Sequence, residues 1–408
     1  MFKLSNIVVF FIMLSILSSY FIGVFGSSMG MLDDFAALMI FLLPIPVIII
    51  FKNAIKKLHN QLFVMLWVFY VVSTFLFLYS SLLPHLYELY KLLTFMIFIP
   101  LFMVLKRGTI FQIEDKLLKV VALFLMINTL IVILQYTINP YIINLFGIKI
   151  GMENIAFAAG RYSGLFSNPN NLGDLALLMF LLNEIVRPEK YKLFRNIFMI
   201  SVLTSSSKHA IVILLLLFVY QNRDVVKKKF SKFLLGSILV FAATFFTYSL
   251  NQKAFDSKIE QYVRLATVED TSHIYMGTVE SRARKMLKGM VYVDENFPLG
   301  TGLGTWGDGS SRLNADNPLK NPEPMSDSAF IHLLVEQGIF ILMYLFLMSS
   351  GYFSVKKMQK KYFISLMIVY VLAIFPTMGM SSGAWPVIFA YLYARLLFSK
   401  KLEQGRVL

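Results

Sequence analysis

The sequence predicts an all-α polytopic membrane protein with about twelve transmembrane helices. Three observations predict this class. The 408 residues are 57% hydrophobic and 15% charged, and the mean hydropathy of +0.69 lies outside the range of ordinary soluble domains. Apolar runs of about 20 residues, long enough to cross a hydrocarbon core of about 30 Å, recur along the chain. Loops rich in Lys and Arg alternate with loops that contain few cations.

The cation distribution predicts the topology, because short loops rich in Lys and Arg stay in the cytoplasm. The formal net charge of +15 is spread over every second loop, which argues against a nucleic-acid surface. Both termini are therefore expected in the cytoplasm, and the first apolar run is expected to be a span rather than a signal peptide. The chain has no cysteine, which excludes disulfides, thiolate metal sites and a cysteine nucleophile. The basic loops are 52–57, 106–119, 187–195, 223–232, 356–361 and 400–406, and the cation-poor loops are 26–34, 80–84 and 377–383.

Three departures from a simple series of spans are expected. Residues 196–220 must cross out and back in about 25 residues, so they are predicted to form two short helices that meet at 204–208. Residues 139–170 form a long outer loop. Residues 251–326 form a large extracytoplasmic loop domain before the tenth span, with an amphipathic helix over 279–293 followed by a Gly- and Pro-rich part.

The first outer loop ends in residues 160–171, which are dense in turn-forming and hydrogen-bonding groups. A helix that begins at Asn170 or Asn171 would present N–H groups and its positive dipole end to an anion. Arg161 could add a bidentate grip on a phosphate. A capped helix start beside a snorkelling arginine is an equally weighted interpretation.

The second outer segment carries cations on an amphipathic helix. Arg282 and Lys285 share one face, and Arg284 and Lys288 share another, so one row could face a polyanion. Simple contact with lipid headgroups is the alternative. The glycines at 300–304 resemble a phosphate cradle, but without the flanking strand and helix they are a weak signal.

Asp327 begins a third stretch, at the entry to a long apolar helix. It could cap that helix or serve as a general base towards a sugar hydroxyl. His332 and Glu336 lie four residues apart and could interact, yet the sequence offers no third metal ligand beside them.

Ionisable residues in apolar segments are also candidates, because their burial is costly. Lys208 ranks first since it lies at the predicted break between short helices. Glu88 and Lys91 could simply pair with each other, and Asp174 could orient the site or pair with an arginine.

Taken together, residues 161–173, 205–210 and 282–338 resemble, in this order, the O-antigen polymerase and O-antigen ligase superfamily, whose fold is similar to that of GT-C membrane glycosyltransferases. The order of the motifs and the number of spans match over nearly the whole chain. The family often has Ser-Arg where this chain has Ser207-Lys208, and lysine lacks the planar fork of arginine. Asp327-Ser328 stands where the ligases typically carry His-Asn, which favours the polymerases.

The resemblance implies a metal-independent enzyme of a bacterial inner membrane that joins undecaprenyl-diphosphate-linked oligosaccharides on the periplasmic face, in lipopolysaccharide or related polysaccharide biosynthesis. Membrane lipids are expected partners, a chain-length regulator is an optional one, and no metal, cofactor or nucleic acid is expected. An O-antigen ligase that uses lipid A core, a flippase or other transporter, and a structural scaffold are the alternatives. The catalytic candidates are Asp327, Arg161 and Arg282; the candidates for binding diphosphate or glycan are Arg284, Lys208, Asn168, Asn170 and Lys288.

Overall fold

A computed structural model describes residues 3–25, 32–43, 61–147, 161–166, 168–186, 191–221, 223, 278–306, 317, 319, 328–374, 384–399 and 402. At helical positions 19, 21–25, 33, 61–64, 278–285, 373, 374 and 384 it describes the backbone but not the side chain. All regular secondary structure within these ranges is helical. The predicted all-α class is therefore confirmed for this part of the chain.

The helices differ widely in length, from a single short turn to 31 residues. Short 3-10 helices lie at Thr94–Met96, Pro140–Phe146, Gly351–Phe353 and Lys357–Gln359. The α-helices are α1 (Leu4–Phe25), α2 (Leu32–Leu42), α3 (Gln61–Phe77), α4 (Leu82–Leu93), α5 (Ile99–Val104), α6 (Arg107–Thr137), α7 (Pro169–Val186), α8 (Lys192–Thr204), α9 (Lys208–Gln221), α10 (Thr278–Asn296), α11 (Ala329–Gln337), α12 (Phe340–Ser350), α13 (Lys360–Ile374) and α14 (Ala384–Leu397).

Helix α7 lies in the core because it is apolar around its whole circumference. Every residue from 172 to 182 is buried. A helix that is hydrophobic on all sides has to be covered on all sides, and α7 packs against α6, α8, α9, α13 and α14. Asp174 is the one ionisable residue in this run, so its carboxylate requires a polar partner inside the core.

Helix α6 has one buried face and one exposed apolar face. Leu117, Val121 and Leu125 are fully buried, whereas Leu123 and Leu130 are 55% and 56% exposed. The exposed side chains recur at helical spacing through the middle of the helix: Val120, Leu123, Met126, Ile127, Leu130 and Ile133. Apolar stripes of this length are uncommon on water-facing surfaces.

Two described segments, Leu82–Val104 and Arg107–Thr137, are long and apolar enough to cross a membrane by length and composition. Shorter apolar helices lie at Leu4–Ser18, Met65–Phe77, Lys208–Gln221, Phe340–Phe353 and Trp385–Leu397. The count of about twelve spans stays a prediction.

The predicted break within residues 196–220 is confirmed. Helix α8 ends at Thr204 and α9 begins at Lys208. Between them Ser206 has a φ of +55°, which places a non-glycine residue in the left-handed region that such residues rarely adopt. Two short helices rather than one span therefore carry the chain through this stretch.

The described part of residues 251–326, the segment expected to form a large outer loop, packs on α11. Helix α10 covers the amphipathic stretch expected at 279–293, with Gly289 so close to α11 that a Cβ there would lie 2.6 Å from Ile331 and from Trp306. The loop that follows is bonded to the turn between α3 and α4, where the Leu303 N–H donates to the Leu78 carbonyl at 2.9 Å and Ser80 Oγ donates to the Leu303 carbonyl at 2.6 Å.

A buried ion pair joins α6 to α14. Arg395 Nε donates to Glu114 Oε1, and both side chains are almost completely removed from solvent. The pair thereby connects two helices that are far apart in the chain. Glu114 lies within the predicted basic loop 106–119, and Arg395 lies just before the basic tail 400–406.

Candidate functional site

The loop that carries Arg161 is fixed by polar side chains of α6. The N–H groups of Gly164 and Leu165 donate to Gln135 Oε1 at 2.8 Å and to Asn128 Oδ1 at 2.7 Å. Asn128 Nδ2 in turn donates to the Ser163 carbonyl at 3.3 Å. Buried backbone groups require such partners, so two side-chain amides of α6 hold the loop in place.

Arg161 joins the loop before α7 to the turn between α8 and α9. Its Nη2 donates to the Ser206 carbonyl at 3.1 Å and lies 3.4 Å from Asn170 Oδ1. The hydroxyl of Ser206 meets the Tyr136 hydroxyl at 2.7 Å. The unusual backbone of Ser206 therefore directs its carbonyl to the guanidinium and its side chain to α6.

A chain of hydrogen bonds continues from Asn170 into the core. Ser207 Oγ donates to Asn170 Oδ1 at 3.2 Å and meets His209 Nδ1 at 3.1 Å. His209 Nε2 lies 2.6 Å from Asp174 Oδ1. The partner that the buried Asp174 requires is thus His209, and the expectation that it pairs with an arginine is not what the structure shows.

Gly173 makes this close approach of α7 to α9 possible. A Cβ at this position would lie 2.8 Å from the Cβ atoms of both Ala210 and Ser207. Those distances are shorter than real Cβ contacts, so only glycine lets the two helices come near enough for Asp174 to reach His209.

The predicted start of α7 needs a correction. The helix begins at Pro169 rather than at Asn170 or Asn171, and Asn168 Oδ1 accepts the N–H of Asn170 at 2.8 Å. A side chain of the protein therefore satisfies one of the N–H groups that had been assigned to an anion. Asn170 belongs to the site through its side chain.

The other predicted site residues are distributed as follows. The Lys208 side chain is exposed, whereas its neighbours Ser207 and His209 join the chain of hydrogen bonds. Lys288 is half-buried on α10. Arg282 and Arg284 lie on the same helix, but their side chains are outside the described residues, as is the whole of Asp327. The N-cap residue of α11 is Ser328, whose Oγ accepts the Ile331 N–H at 3.4 Å.

A second polar cluster lies between α4 and α11. Glu88 Oε1 accepts from Lys91 Nζ at 2.8 Å, which confirms the pairing that their spacing allows. His332 Nε2 lies 3.4 Å from Glu88 Oε2 and 3.6 Å from Glu336 Oε2, so the expected contact within α11 also forms. Glu88, His332 and Glu336 are buried.

The glycine-rich loop binds a carboxylate of the protein rather than a phosphate. The N–H groups of Gly304 and Trp306 both donate to Glu336 Oε1, at 3.0 and 2.9 Å. Gly302 N–H donates to the backbone carbonyl of Glu336 at 3.0 Å. The backbone N–H groups of this loop therefore do bind an acidic group, and that group is the Glu336 side chain.

Glu88 also supplies the third metal-ligand candidate that the sequence lacked. One ligand atom each from Glu88, His332 and Glu336 lie within 4.8 Å of one another. However, Lys91 already places a cation on Glu88, and two backbone donors and the His332 ring face the other carboxylate. Buried charges are stable when they are paired in this way, so we interpret the cluster as an ionic connection between α4 and α11.

Sequence reasoning did not select His209. A histidine that follows a lysine carries no spacing signal, and its partner Asp174 is 35 residues earlier in the chain. The available signal was the isolated acid in the apolar run 172–182, since a buried carboxylate requires a donor.

No model of a known protein family matches this chain. No curated protein matches it either. Fold, site geometry and sequence motifs are therefore the basis for any functional conclusion.

Proposed function

We propose that the protein is an integral membrane enzyme that polymerises lipid-diphosphate-linked oligosaccharide repeat units, such as those of O-antigen or a related surface polysaccharide, at the outer face of a bacterial cytoplasmic membrane. The proposal has two parts, a membrane location and a transfer reaction. Each is supported by separate observations.

The exposed apolar surface supports the membrane location. The stripe on α6 extends over almost four helical turns, and α3 exposes Met65, Phe69 and Leu76 by 61% or more. Helices that face lipid carry apolar side chains outward, whereas a water-soluble bundle would expose polar groups there.

Contacts between loops support the proposed topology. Segments expected outside touch one another, as Ser80 does with Leu303. Tyr20, near the end of the first predicted span, donates to the carbonyl of Phe146 in the predicted outer loop at 2.9 Å. Segments expected inside also touch, since Lys116 Nζ donates to Ser5 Oγ at 3.0 Å. These contacts are consistent with the two groups of loops that the alternating basic loops predict.

The observation that carries the proposed reaction is the contact of Arg161 with the Ser206 carbonyl. It joins two of the three stretches on which the resemblance to O-antigen polymerases rests. Arginine is suited to a diphosphate, because its planar guanidinium can offer two parallel donors. The 3.4 Å contact to Asn170 is long for a hydrogen bond, so a phosphate oxygen could replace it at small cost.

The proposed reaction is one group transfer. A hydroxyl oxygen of one lipid-linked repeat unit attacks the anomeric carbon of a second lipid-linked chain. The bond from that carbon to the diphosphate oxygen breaks with its electron pair, and undecaprenyl diphosphate leaves. Arg161, with Arg282 or Arg284 and Lys208 as further cations, would stabilise the charge on the leaving group. Asp327 would accept the hydroxyl proton.

Purified protein in lipid nanodiscs, incubated with a synthetic lipid-diphosphate repeat unit, tests the proposal. We expect a ladder of products on a gel, a loss of at least about tenfold in rate for Arg161→Ala, and only partial recovery for Arg161→Lys, because lysine cannot form the bidentate contact. Arg107→Ala is the matched control, because Arg107 is at the start of α6, away from Asn128 and Gln135, which hold the loop of Arg161. This variant should retain the wild-type rate.

The alternatives give different results in the same assay. A ligase would extend only a lipid A core acceptor, and a flippase would move the lipid-linked unit across the bilayer without forming products. Wild-type rates in Arg161→Ala at normal protein levels would contradict the assignment of this residue.

A further inference from the structure

We propose that His209, supported by Asp174 and acting through Ser207 and Asn170, is the positioning residue that sets the guanidinium of Arg161 for the diphosphate. This inference rests on the proposed function and adds to it a set of residues that the sequence did not identify. His209, Asp174 and Ser207 are not proposed to touch the substrate.

The hydrogen bonds form one continuous path with Arg161 at its end. They run from Asp174 to His209 at 2.6 Å, from His209 to Ser207 at 3.1 Å, from Ser207 to Asn170 at 3.2 Å, and from Asn170 to Arg161 at 3.4 Å. The bonds lengthen towards the arginine. The inner end is therefore firmly held, and the outer end is where a ligand can exchange.

The burial of these polar side chains indicates that the hydrogen-bonded path does more than fill space in the core. The side chains of Asp174 and His209 are only 3% and 12% exposed, and Ser207 is fully buried. Burying a carboxylate and an imidazole costs more than filling the same volume with apolar groups. A buried polar network does, however, impose one geometry on its members, which is what a residue that binds a diphosphate requires.

The same elements determine the second contact of Arg161. Ser206, whose carbonyl accepts from Nη2, directly precedes Ser207 in the turn. Ser207 N–H is held by Ser205 Oγ at 3.2 Å. A change at His209 that releases Ser207 would therefore disturb the contacts of the guanidinium with Ser206 and with Asn170.

A double-mutant cycle tests this inference. We expect His209→Ala and Asp174→Asn each to lower the polymerisation rate by about ten- to a hundredfold, the loss typical of a misplaced binding group. In an Arg161→Ala background either change should lower the rate by less than about twofold, because the residue it positions is already absent. Purely structural roles would instead multiply the losses.

The conservative variants and a second readout keep the test sharp. His209→Gln retains a donor towards Asp174 and should recover part of the polymerisation rate. His332→Gln, in the second polar cluster, is the control: its effect on the rate should be the same with and without Arg161→Ala. Melting temperature and size-exclusion profile identify variants that fail to fold. For such variants Ser207→Ala, which removes one hydroxyl, replaces His209→Ala in the cycle.

Binding of undecaprenyl diphosphate, followed by native mass spectrometry, separates the two proposals. If the wild type binds this lipid but forms no polymer, the proposed reaction is wrong. The double-mutant cycle is then measured with the affinity for undecaprenyl diphosphate in place of the polymerisation rate. If polymer forms and the losses of His209→Ala and Arg161→Ala multiply, the positioning role is overturned while the reaction stands. If neither binding nor polymer is seen, both proposals are wrong.

Discussion

Gly164 fixes the loop of Arg161 in a conformation that few other residues adopt. Its φ is +63°, and a Cβ would lie 2.4 Å from Asn128 Oδ1, the atom that accepts the Leu165 N–H. We expect Gly164→Ala to destabilise the protein by about 2 kcal/mol, because it adds left-handed strain and displaces the amide that holds the loop. Thermal unfolding in detergent and the polymerisation rate should both fall.

Gly108→Ala is the control for this substitution. Gly108 lies near the start of the same helix that supplies Asn128, and a Cβ there would meet no atom within 4 Å. Alanine is the better helix former by up to about 1 kcal/mol, so this variant should be as stable as the wild type or more stable. Equal behaviour of the two variants would show that the loop geometry does not depend on Gly164.

At the scale of single residues, the sequence predicted which cation of the first outer loop to consider but not how it is held. Arg161 and Asn170 were selected from their local pattern, and they are in contact. Lys208 was ranked first because it lies at the predicted break between short helices, yet the next residue, His209, is the one that contacts Asp174. The orientation of side chains at a helix start depends on which face packs against α7, and no local pattern records that face.

At the scale of elements, a buried ion pair connects α6 to α14. We expect Arg395→Met to cost about 3–5 kcal/mol, because it removes a cation that is paired with the buried Glu114 carboxylate. Adding Glu114→Gln should recover part of the loss, since the uncompensated charge is then removed. Reversible unfolding of the two variants and the wild type in the same mixed micelles measures the difference.

An exposed pair provides the comparison for that experiment. Lys119 and Asp115 lie 2.6 Å apart on the same helix, with Lys119 56% exposed. Lys119→Gln should change the free energy of unfolding by no more than about 0.5 kcal/mol, because exposed pairs of this kind are screened by water. If Arg395→Met were equally mild, the buried ion pair would not stabilise the connection between the two helices.

The helix boundaries show what local signals can predict. The break at 204–208 followed from a length that was too short for two spans, and it is present. The start of α7 was misplaced by one or two residues because Asn168, Asn170 and Asn171 are all acceptable caps by composition. The hydrogen bond from the Asn170 N–H to Asn168 Oδ1 decides among them.

At the scale of the whole molecule, the proposed topology can be tested by labelling single cysteines, since the natural chain has none. Leu145 is 83% exposed in a segment expected outside, and Met358 is 78% exposed in a loop expected inside. A membrane-impermeant maleimide added to intact spheroplasts should label Leu145→Cys at once and Met358→Cys only after permeabilisation. The reverse order of labelling would contradict the topology.

The sequence by itself determined the helical class, the break between α8 and α9, and the pairings of residues three or four apart, such as Glu88 with Lys91. These features depend on the hydrophobicity and spacing of nearby residues, which can be read along the chain. The alternation of basic loops predicts the topology for the same reason.

Only the tertiary structure decided how the polar groups combine. It brought His209 to Asp174 across 35 residues and His332 to Glu88 across 244, and it filled the glycine-rich loop with the carboxylate of Glu336. Such partners are chosen by the packing of helices that are remote in sequence, where a buried charge has to find a partner among whatever the fold places beside it. That requirement can be predicted from the sequence, but the identity of the partner cannot.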